Sequence, residues 1–180
     1  MNISKENLSK QQFSMIQSAI EMAEKSMLLM KIGSVLCDSG LKIIGDFNRH
    51  GDCFKDPSGS RQNVCTIHAE IGVCIEYYQR FQKISFKNIK KFVLCVVRIS
   101  PKGEIKNSKP CMECVSYLKK WFPCKILYST EDGFFLGKIR DIESTHLSLI
   151  QIKRKNSPQG KLSKNVDSIR ISSSSSSDDE

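Results

Sequence analysis

The spacing of apolar residues divides the first half of the chain into alternating helices and strands. Residues 10–31 carry apolar side chains at helical intervals: Phe13, Ile16, Ile20, Ala23, Met27 and Met30. Ser9 and Gln12 form a capping-box pattern at the start of this helix. The runs "IGSVLC" (32–37) and "LKIIGDF" (41–47) flank a short turn and predict a β-hairpin. Residues 67–81 predict a second helix, with Thr66 as a candidate N-cap.

The second half repeats this alternation. "KFVLCVVRI" (91–99) predicts a buried strand, and Pro110 suits the first position of a helix that runs to about Trp121. "CKILYS" (124–129) and "FFLGKIR" (134–140) predict a closing antiparallel hairpin. This order predicts an α/β fold, in which a mixed five-stranded sheet lies between helices in a three-layer sandwich. We expect parallel crossovers through the helices and an antiparallel last strand.

The character of the chain changes beyond about residue 150. The segment has few large apolar residues and ends in six serines followed by three acidic residues. Such a composition cannot bury enough surface to fold. We therefore predict one folded domain over residues 1–150 and a disordered tail over residues 151–180.

Composition indicates a soluble protein with one core. The chain has 180 residues, of which 39% are apolar and 26% are charged. No apolar run reaches the roughly 18 residues that a membrane span needs, so no membrane partner is expected. The polar N-terminus has no secretory pattern, which predicts an intracellular, cytoplasmic protein and leaves a nuclear location open.

The charge is strongly basic. The formal net charge is +9, and the tail from residue 151 contributes six basic and four acidic residues, which leaves +7 on the body. A basic body favours anionic partners such as phosphates, and it makes nucleic acid a possible partner.

Eight cysteines raise the question of their chemistry. An intracellular protein favours thiols or metal ligands over disulfides. Four cysteines lie in or beside apolar runs and are predicted to be small buried side chains: Cys37, Cys74, Cys95 and Cys124. Cys111 and Cys114 form a C-x-x-C pair, which can be a redox couple, half of a metal site or two neighbours in a core.

A helix that starts at Pro110 would place both thiols near its positive end, where thiolates are stabilised. A third metal ligand is available in "TIHAEIG", where His68 lies in the first turn of the other crossover helix and Glu70 follows two residues later. Two cysteines and one histidine around zinc leave a fourth position open, as in catalytic sites. We expect both helices to leave the carboxyl edge of neighbouring strands, so that their starts can meet there.

The motifs "HAE" (68–70) and "PCMEC" (110–114) resemble the H-x-E…P-C-x-x-C signature of the zinc-dependent cytidine and deoxycytidylate deaminase superfamily. The resemblance extends over roughly residues 12–140. It implies a five-stranded sheet enclosed by helices. It also implies hydrolytic deamination of a cytosine-type nucleoside or nucleotide to the uracil form, with release of ammonia.

The resemblance also implies roles for individual residues. His68, Cys111 and Cys114 would hold one Zn²⁺, with a water in the fourth position. Glu70 would transfer protons without binding the metal. The backbone N–H groups of Ala69 and Cys111 would meet the water or the ring carbonyl. Asn48, in "GDFN", resembles the asparagine that hydrogen-bonds the substrate.

Further expectations concern the long polar loop 48–65. Arg49, Lys55 and Arg61 could meet a phosphate or could be ordinary solvated charges. His50, Cys53 and Cys65 could supply ligands to a second, structural zinc, although a fourth ligand is not evident in the sequence.

The sequence is compatible with more than one substrate class. An antiparallel last strand resembles the branch of the superfamily that acts on free nucleosides, whereas the basic charge favours phosphate. The alternatives are a deaminase that edits RNA or single-stranded DNA and a non-catalytic, zinc-stabilised binding protein. The resemblance also implies a homo-oligomer.

Overall fold

A computed structural model describes residues 2–51, 53–55, 58–59, 61–63, 66–81 and 89–147. The chain divides after His146 into two units, and the first unit contains the sheets and helices. The tail from residue 151 lies outside the described residues, so its disorder stays a prediction.

A mixed sheet of seven strands forms the centre of this unit. Six of them follow one another in the order β1 (Asn2–Ile3), β11 (Phe134–Lys138), β10 (Lys125–Ser129), β8 (Val93–Ile99), β2 (Lys31–Asp38) and β3 (Leu41–Phe47), and β9 (Ile105–Lys106) pairs with β8. β10 and β8 run parallel, and the other pairs in this sheet are antiparallel. Two small sheets pair β4 (Arg49–His50) with β7 (Thr66–Ile67) and β5 (Cys53–Lys55) with β6 (Arg61–Asn63).

The predicted mixed α/β sheet is confirmed, but the number of five strands is wrong. The two additional strands, β1 and β9, have two residues each. Segments this short show no period in the sequence, and they become strands only because they pair with β11 and β8. Both predicted hairpins are antiparallel as expected, including the last strand β11.

The crossover from β3 to β8 determines which strand ends share an edge. β2 lies between β3 and β8 in the sheet and pairs with both. β3 and β8 are therefore not neighbours, contrary to our expectation. Since β2 is antiparallel to both, β3 and β8 still run in the same direction. Their carboxyl ends therefore lie at the same edge of the sheet.

Three helices flank the sheet in the described part of the chain: α1 (Lys10–Glu24), α2 (Ala69–Phe81) and α3 (Met112–Trp121). The capping box at the start of α1 is confirmed. The Ser9 hydroxyl accepts from the Gln12 amide at 3.2 Å, and the Gln12 side chain accepts from the Ser9 amide at 2.8 Å.

α1 ends at Glu24, seven residues before the predicted end. Met27 and Met30, which we predicted in its apolar stripe, are 95% and 41% exposed. The buried Ser26 hydroxyl donates to the Asn48 carbonyl at 2.8 Å and accepts from the Leu28 amide at 3.3 Å. These side-chain bonds replace helical backbone bonds and direct the chain towards the end of β3.

Two apolar clusters take alternate residues of the central strands, as the two faces of a sheet require. The first joins α1 to Val35, Cys37, Cys95, Val97 and Leu127. The second joins α2 and α3 to Leu36, Ile44, Leu94, Val96 and Ile126. At Gly33, α1 lies so close that an added Cβ would stand 2.1 Å from the Ala19 carbonyl oxygen.

The four cysteines predicted to be small core side chains are buried, as expected. Burial raises the pKa of the Cys37 thiol to about 11 and that of the Cys124 thiol to about 12. These thiols therefore stay protonated at neutral pH and act as apolar packing groups.

Among the described residues, no helix combines the length and the apolar composition that a membrane span requires.

The stripe of α1 can be tested with a pair of substitutions. Ile16 is 4% exposed and Phe13 is 61% exposed. We expect Ile16→Ala to lower the free energy of unfolding by about 2–5 kcal/mol, because it removes buried volume. Phe13→Ala should change it by less than about 0.5 kcal/mol. Urea unfolding followed by circular dichroism measures both, and an equal loss would contradict the observed helix orientation.

Candidate metal centre

The starts of α2 and α3 bring the two sequence motifs together. His68 lies between β7 and α2, and Cys111 occupies the N-cap of α3 in an extended conformation, with φ −69° and ψ 166°. Pro110 therefore precedes the N-cap and is not the first helical residue as predicted. Cys114 follows within the first turn of α3.

One histidine nitrogen lies against both thiols. His68 Nδ1 is 3.2 Å from Cys114 Sγ and 3.5 Å from Cys111 Sγ. The three potential ligand atoms all lie within 4.8 Å of one another. A tetrahedral zinc with ordinary Zn–N and Zn–S bonds holds nitrogen and sulfur about 3.5 Å apart. The spacing of this triad thus fits a zinc ion.

Glu70 adds a buried carboxyl group to the site. It is 4% exposed, and its Oε2 has no hydrogen-bond partner in the described part of the protein. Buried polar atoms are nearly always hydrogen-bonded, so an unpaired carboxylate oxygen beside a ligand triad suits a group that acts on something bound there. Burial raises the pKa of Glu70, and the nearby His68 charge opposes this rise.

The charges of the triad compensate one another without a metal. The hydrogen bond from the Cys114 thiol lowers the pKa of Cys111 to about 4, and a bond to His68 supports the same shift. The hydrogen bond to the Cys111 thiolate in turn raises the pKa of His68 to about 9, although burial opposes this. His68 Nδ1 lies closer to Cys114, but Cys111 carries the negative charge. The Cys114 pKa is raised because its proton bridges to Cys111.

Apolar side chains enclose the cysteines. Ile67, Ile71 and Ile75 form a small cluster with Cys111 and Cys114, and Tyr117 packs against it. Such surroundings lower the local dielectric constant, which strengthens electrostatic interactions within the site. The cluster also joins α2 to α3, so the ligands lie between two packed helices.

A serine hydroxyl holds the start of α2 on the sheet. The hydroxyl of Ser34 in β2 is fully buried and donates to the Ala69 carbonyl at 2.6 Å. Ala69 is itself fully buried, and the role of its N–H group towards a substrate stays a prediction. The role of Ser34 was not predicted. The sequence does contain a signal for this role. Ser34 is a polar residue inside the apolar run of a predicted strand, where a buried hydroxyl needs a hydrogen-bond partner.

Asn48 lies at the end of β3 and is 6% exposed. Its Oδ1 accepts from the Ile32 amide at 2.8 Å, and its Nδ2 donates to the Met30 carbonyl at 2.6 Å. The side chain thus fastens the start of β2 to the end of β3, and one Nδ2 hydrogen is not used in these bonds. The predicted substrate role of Asn48 stays a prediction.

Arg49 is paired with a carboxylate. Its Nη1 forms an ion pair with Asp46, and Asp46 Oδ2 lies 2.1 Å from where a Cβ on Gly72 would stand. Gly72 therefore allows this ion pair to lie directly on α2. The Arg49 side chain is 38% exposed, and Lys55 is exposed. The side chain of Arg61 lies outside the described residues. For all three residues, a phosphate contact and a solvated charge stay alternative predictions.

The second, structural zinc site at His50, Cys53 and Cys65 stays a prediction. His50 is exposed, whereas the side chain of Cys53 and all of Cys65 lie outside the described residues. Within the residues that are described, His68, Cys111 and Cys114 form the group with metal-binding geometry.

Comparisons with protein-family models and with curated proteins found no match for this chain. The interpretation of the site therefore depends on its own residues and geometry. These are compatible with a zinc deaminase motif in an α/β fold, and they favour a metal site over the redox and core interpretations of the Cys111–Cys114 pair.

The pKa shifts predict how zinc binding depends on pH. Without metal, His68 is protonated below its pKa of about 9, Cys114 keeps its proton, and Cys111 is a thiolate above about pH 4. Zinc must displace about two protons, so its apparent affinity should rise by about a hundredfold per pH unit between these limits. Competition with a chromophoric chelator at several pH values measures this slope, and a slope near zero would contradict the assignment.

Variants supply the controls for this measurement. Cys111→Ser should weaken zinc binding strongly, because it removes a thiolate ligand. Cys95→Ala is the matched control, since Cys95 is an equally buried thiol outside the triad, and it should leave the affinity unchanged.

Proposed function

We propose that this protein is a zinc-dependent hydrolytic deaminase that converts a cytosine-type nucleoside or nucleotide to the uracil form and releases ammonia. One observation carries the proposal. The triad of His68, Cys111 and Cys114 has the spacing of zinc ligands, and the buried Glu70 beside it has an unpaired Oε2. A purely structural zinc site has no use for such a carboxyl group.

We also propose that the whole fold is a three-layer sandwich similar to that of cytidine deaminases. The two apolar clusters support this, because α1 belongs to one of them and α2 with α3 to the other. The antiparallel β11 is compatible with the branch that acts on free nucleosides.

The proposed chemistry divides between the metal and the chain. When bound, zinc supplies a water whose pKa is lowered towards neutrality. Glu70 Oε2 would accept a proton from that water, pass it to the ring nitrogen and then assist the departure of ammonia. Burial raises the pKa of Glu70, and this is the direction that helps a carboxyl group to hold the transferred proton between the two steps.

The chain would also orient the substrate. The N–H groups of Ala69 and Cys111 would meet the water or the ring carbonyl, and the free Nδ2 hydrogen of Asn48 would meet the sugar or base. The apolar side chains around Cys111 and Cys114 would exclude bulk water from the reacting atoms. A cytoplasmic location and a homo-oligomeric state belong to the same proposal.

A polynucleotide-editing deaminase is the second candidate, and the formal net charge of +9 favours it. The same triad and Glu70 would act on a base presented by RNA or single-stranded DNA. A non-catalytic zinc-stabilised binding protein is the third candidate, and the buried Glu70 with its unpaired Oε2 disfavours it.

Glu70→Gln tests the proposed mechanism. The variant preserves the volume of the side chain and removes its acid–base function, so zinc content should stay near one ion per chain while ammonia release falls by about 10²- to 10⁴-fold. Glu76→Gln, on the same helix, is the matched control, because Glu76 pairs with Arg80 at the surface. Undiminished turnover in Glu70→Gln would refute the role of this residue.

The substrate class is tested with a panel of cytidine, CMP, dCMP, adenosine, guanine and short oligonucleotides. We expect turnover of a cytosine-type nucleoside or nucleotide, measured as ammonia release by the zinc-loaded full chain. Turnover confined to oligonucleotides and falling steeply with salt would instead establish the polynucleotide alternative. A zinc-loaded protein that turns over none of these compounds would refute the proposed reaction.

A further inference from the structure

Ser108, just before Cys111 in the chain, forms a buried pair with Ser129. Ser108 belongs to the segment that connects β9 to α3, and Ser129 is the last residue of β10. Their exposed fractions are 5% and 0%. Neither residue belongs to the triad, and neither has a role in the mechanism proposed above.

The two residues are joined by a dense set of hydrogen bonds. The Ser108 amide donates to the Ser129 carbonyl at 2.9 Å, and the Ser129 amide donates to the Ser108 hydroxyl at 3.0 Å. The Ser108 hydroxyl also contacts the Val96 carbonyl at 2.8 Å, and the Ser129 hydroxyl contacts the Lys106 carbonyl at 2.6 Å. The two hydroxyl oxygens are 2.8 Å apart.

These bonds connect three separate parts of the chain. Val96 lies in β8, Lys106 in β9 and Ser129 at the carboxyl end of β10. The two hydroxyl groups have two hydrogens between them and make three close oxygen–oxygen contacts. The Ser108 oxygen also accepts a hydrogen bond from the Ser129 amide. Removing either hydroxyl would leave buried polar groups unpaired, so the pair acts as one unit.

The segment between Ser108 and Cys111 links the fixed position of Ser108 to the position of the Cys111 thiol. It is short, and Pro110 restricts the backbone of Lys109 to extended conformations. The Lys109 amide also donates to the Asn107 side chain at 2.9 Å. Just beyond Cys111, the Met112 amide donates to the His146 carbonyl at 2.9 Å. The backbone of Cys111 is therefore held on both sides.

We propose that Ser108 and Ser129 are positioning residues for the metal centre: their hydroxyl pair fixes the backbone that presents Cys111 and thereby sets the affinity of the triad for metal. Neither hydroxyl touches the metal. The inference depends on metal binding at the triad, which is part of the proposed function, and it does not depend on the substrate.

If the hydroxyl pair only stabilised the fold, its removal would lower the free energy of unfolding without changing the affinity for metal. A matched control variant separates these two effects. Ser26 is also a buried serine, 1% exposed, whose hydroxyl donates to a backbone carbonyl. It lies between α1 and β2, away from the segment that carries Cys111. Ser26→Ala should therefore lose comparable stability and keep the metal affinity of the unmodified protein.

The test measures zinc and cobalt(II) binding by the full chain and by Ser108→Ala, Ser129→Ala and the double variant. Each single variant should bind both metals about tenfold more weakly, as is typical when groups supporting metal ligands are lost. The cobalt complex should also show a weaker thiolate-to-metal charge-transfer band, which a change in stability alone does not produce. The double variant should lose little more than either single variant, because the pair acts together.

Two further measurements test the inference if the alanine variants do not fold. They are the metal affinity of Ser108→Thr and amide hydrogen exchange in the unmodified protein. The threonine variant retains the hydroxyl and should retain most of the affinity. In the metal-free, unmodified protein, the amides of Ser108, Met112 and Ser129 should exchange as slowly as those of β8, and rapid exchange would refute the positioning role.

Three outcomes are distinguishable. Alanine variants that bind metal as tightly as Ser26→Ala would overturn the inference and leave the metal site intact. An unmodified protein that binds neither metal would overturn both the inference and the metal site. An unmodified protein that binds metal through the serine-dependent triad, yet deaminates nothing, would overturn only the proposed reaction.

Discussion

Placing a half-buried imidazole beside two buried thiols and a buried carboxyl group is costly unless their charges compensate. In this protein the groups stabilise one another. The Cys111 thiolate accepts hydrogen bonds from His68 and from the Cys114 thiol, which lowers the pKa of Cys111 and raises the pKa values of His68 and Cys114. A divalent cation would replace those protons and stabilise two thiolates at once. The rest of the unit maintains this compact arrangement, in which no ligand atom is more than 4.8 Å from another.

The strand directions make the arrangement possible. β3 and β8 point to the same edge of the sheet because β2 lies between them and is antiparallel to both. The chain leaves β3 to reach His68 and leaves β8 to reach Cys111. Apolar packing of Ile67, Ile71 and Ile75 against the cysteines then holds the two helix starts together.

Buried hydroxyl groups complete this framework. Ser34 fastens the first turn of α2 to β2, and Ser108 with Ser129 fastens the approach to α3 to β8, β9 and β10. Asn48 and Ser26 form a separate set of buried bonds, which joins the end of β3 to the approach to β2 and contains no potential metal ligand. Because hydrogen bonds are directional, they can fix the ligand backbone more accurately than apolar contacts alone.

Much of this could be predicted from the chain, and the failures have physical reasons. The capping box of α1, both hairpins and the ligand motifs were predicted because each is encoded by neighbouring residues. The end of α1 was not, because the helical spacing of Met27 and Met30 continues beyond Glu24 while the Ser26–Asn48 bond, 22 residues apart, ends the helix. β1 and β9 were missed because two-residue strands have no period.

The amino-acid sequence by itself determined which groups could bind a metal and transfer protons, since HAE and PCMEC contain that chemistry within a few residues. Only the tertiary structure decided that His68 Nδ1 meets both thiols, that Glu70 is buried with an oxygen unpaired, and that Ser34, Ser108 and Ser129 support the two helix starts. The reason is that these contacts join residues 21 to 46 positions apart. Their distances depend on strand order and direction, which local patterns do not encode.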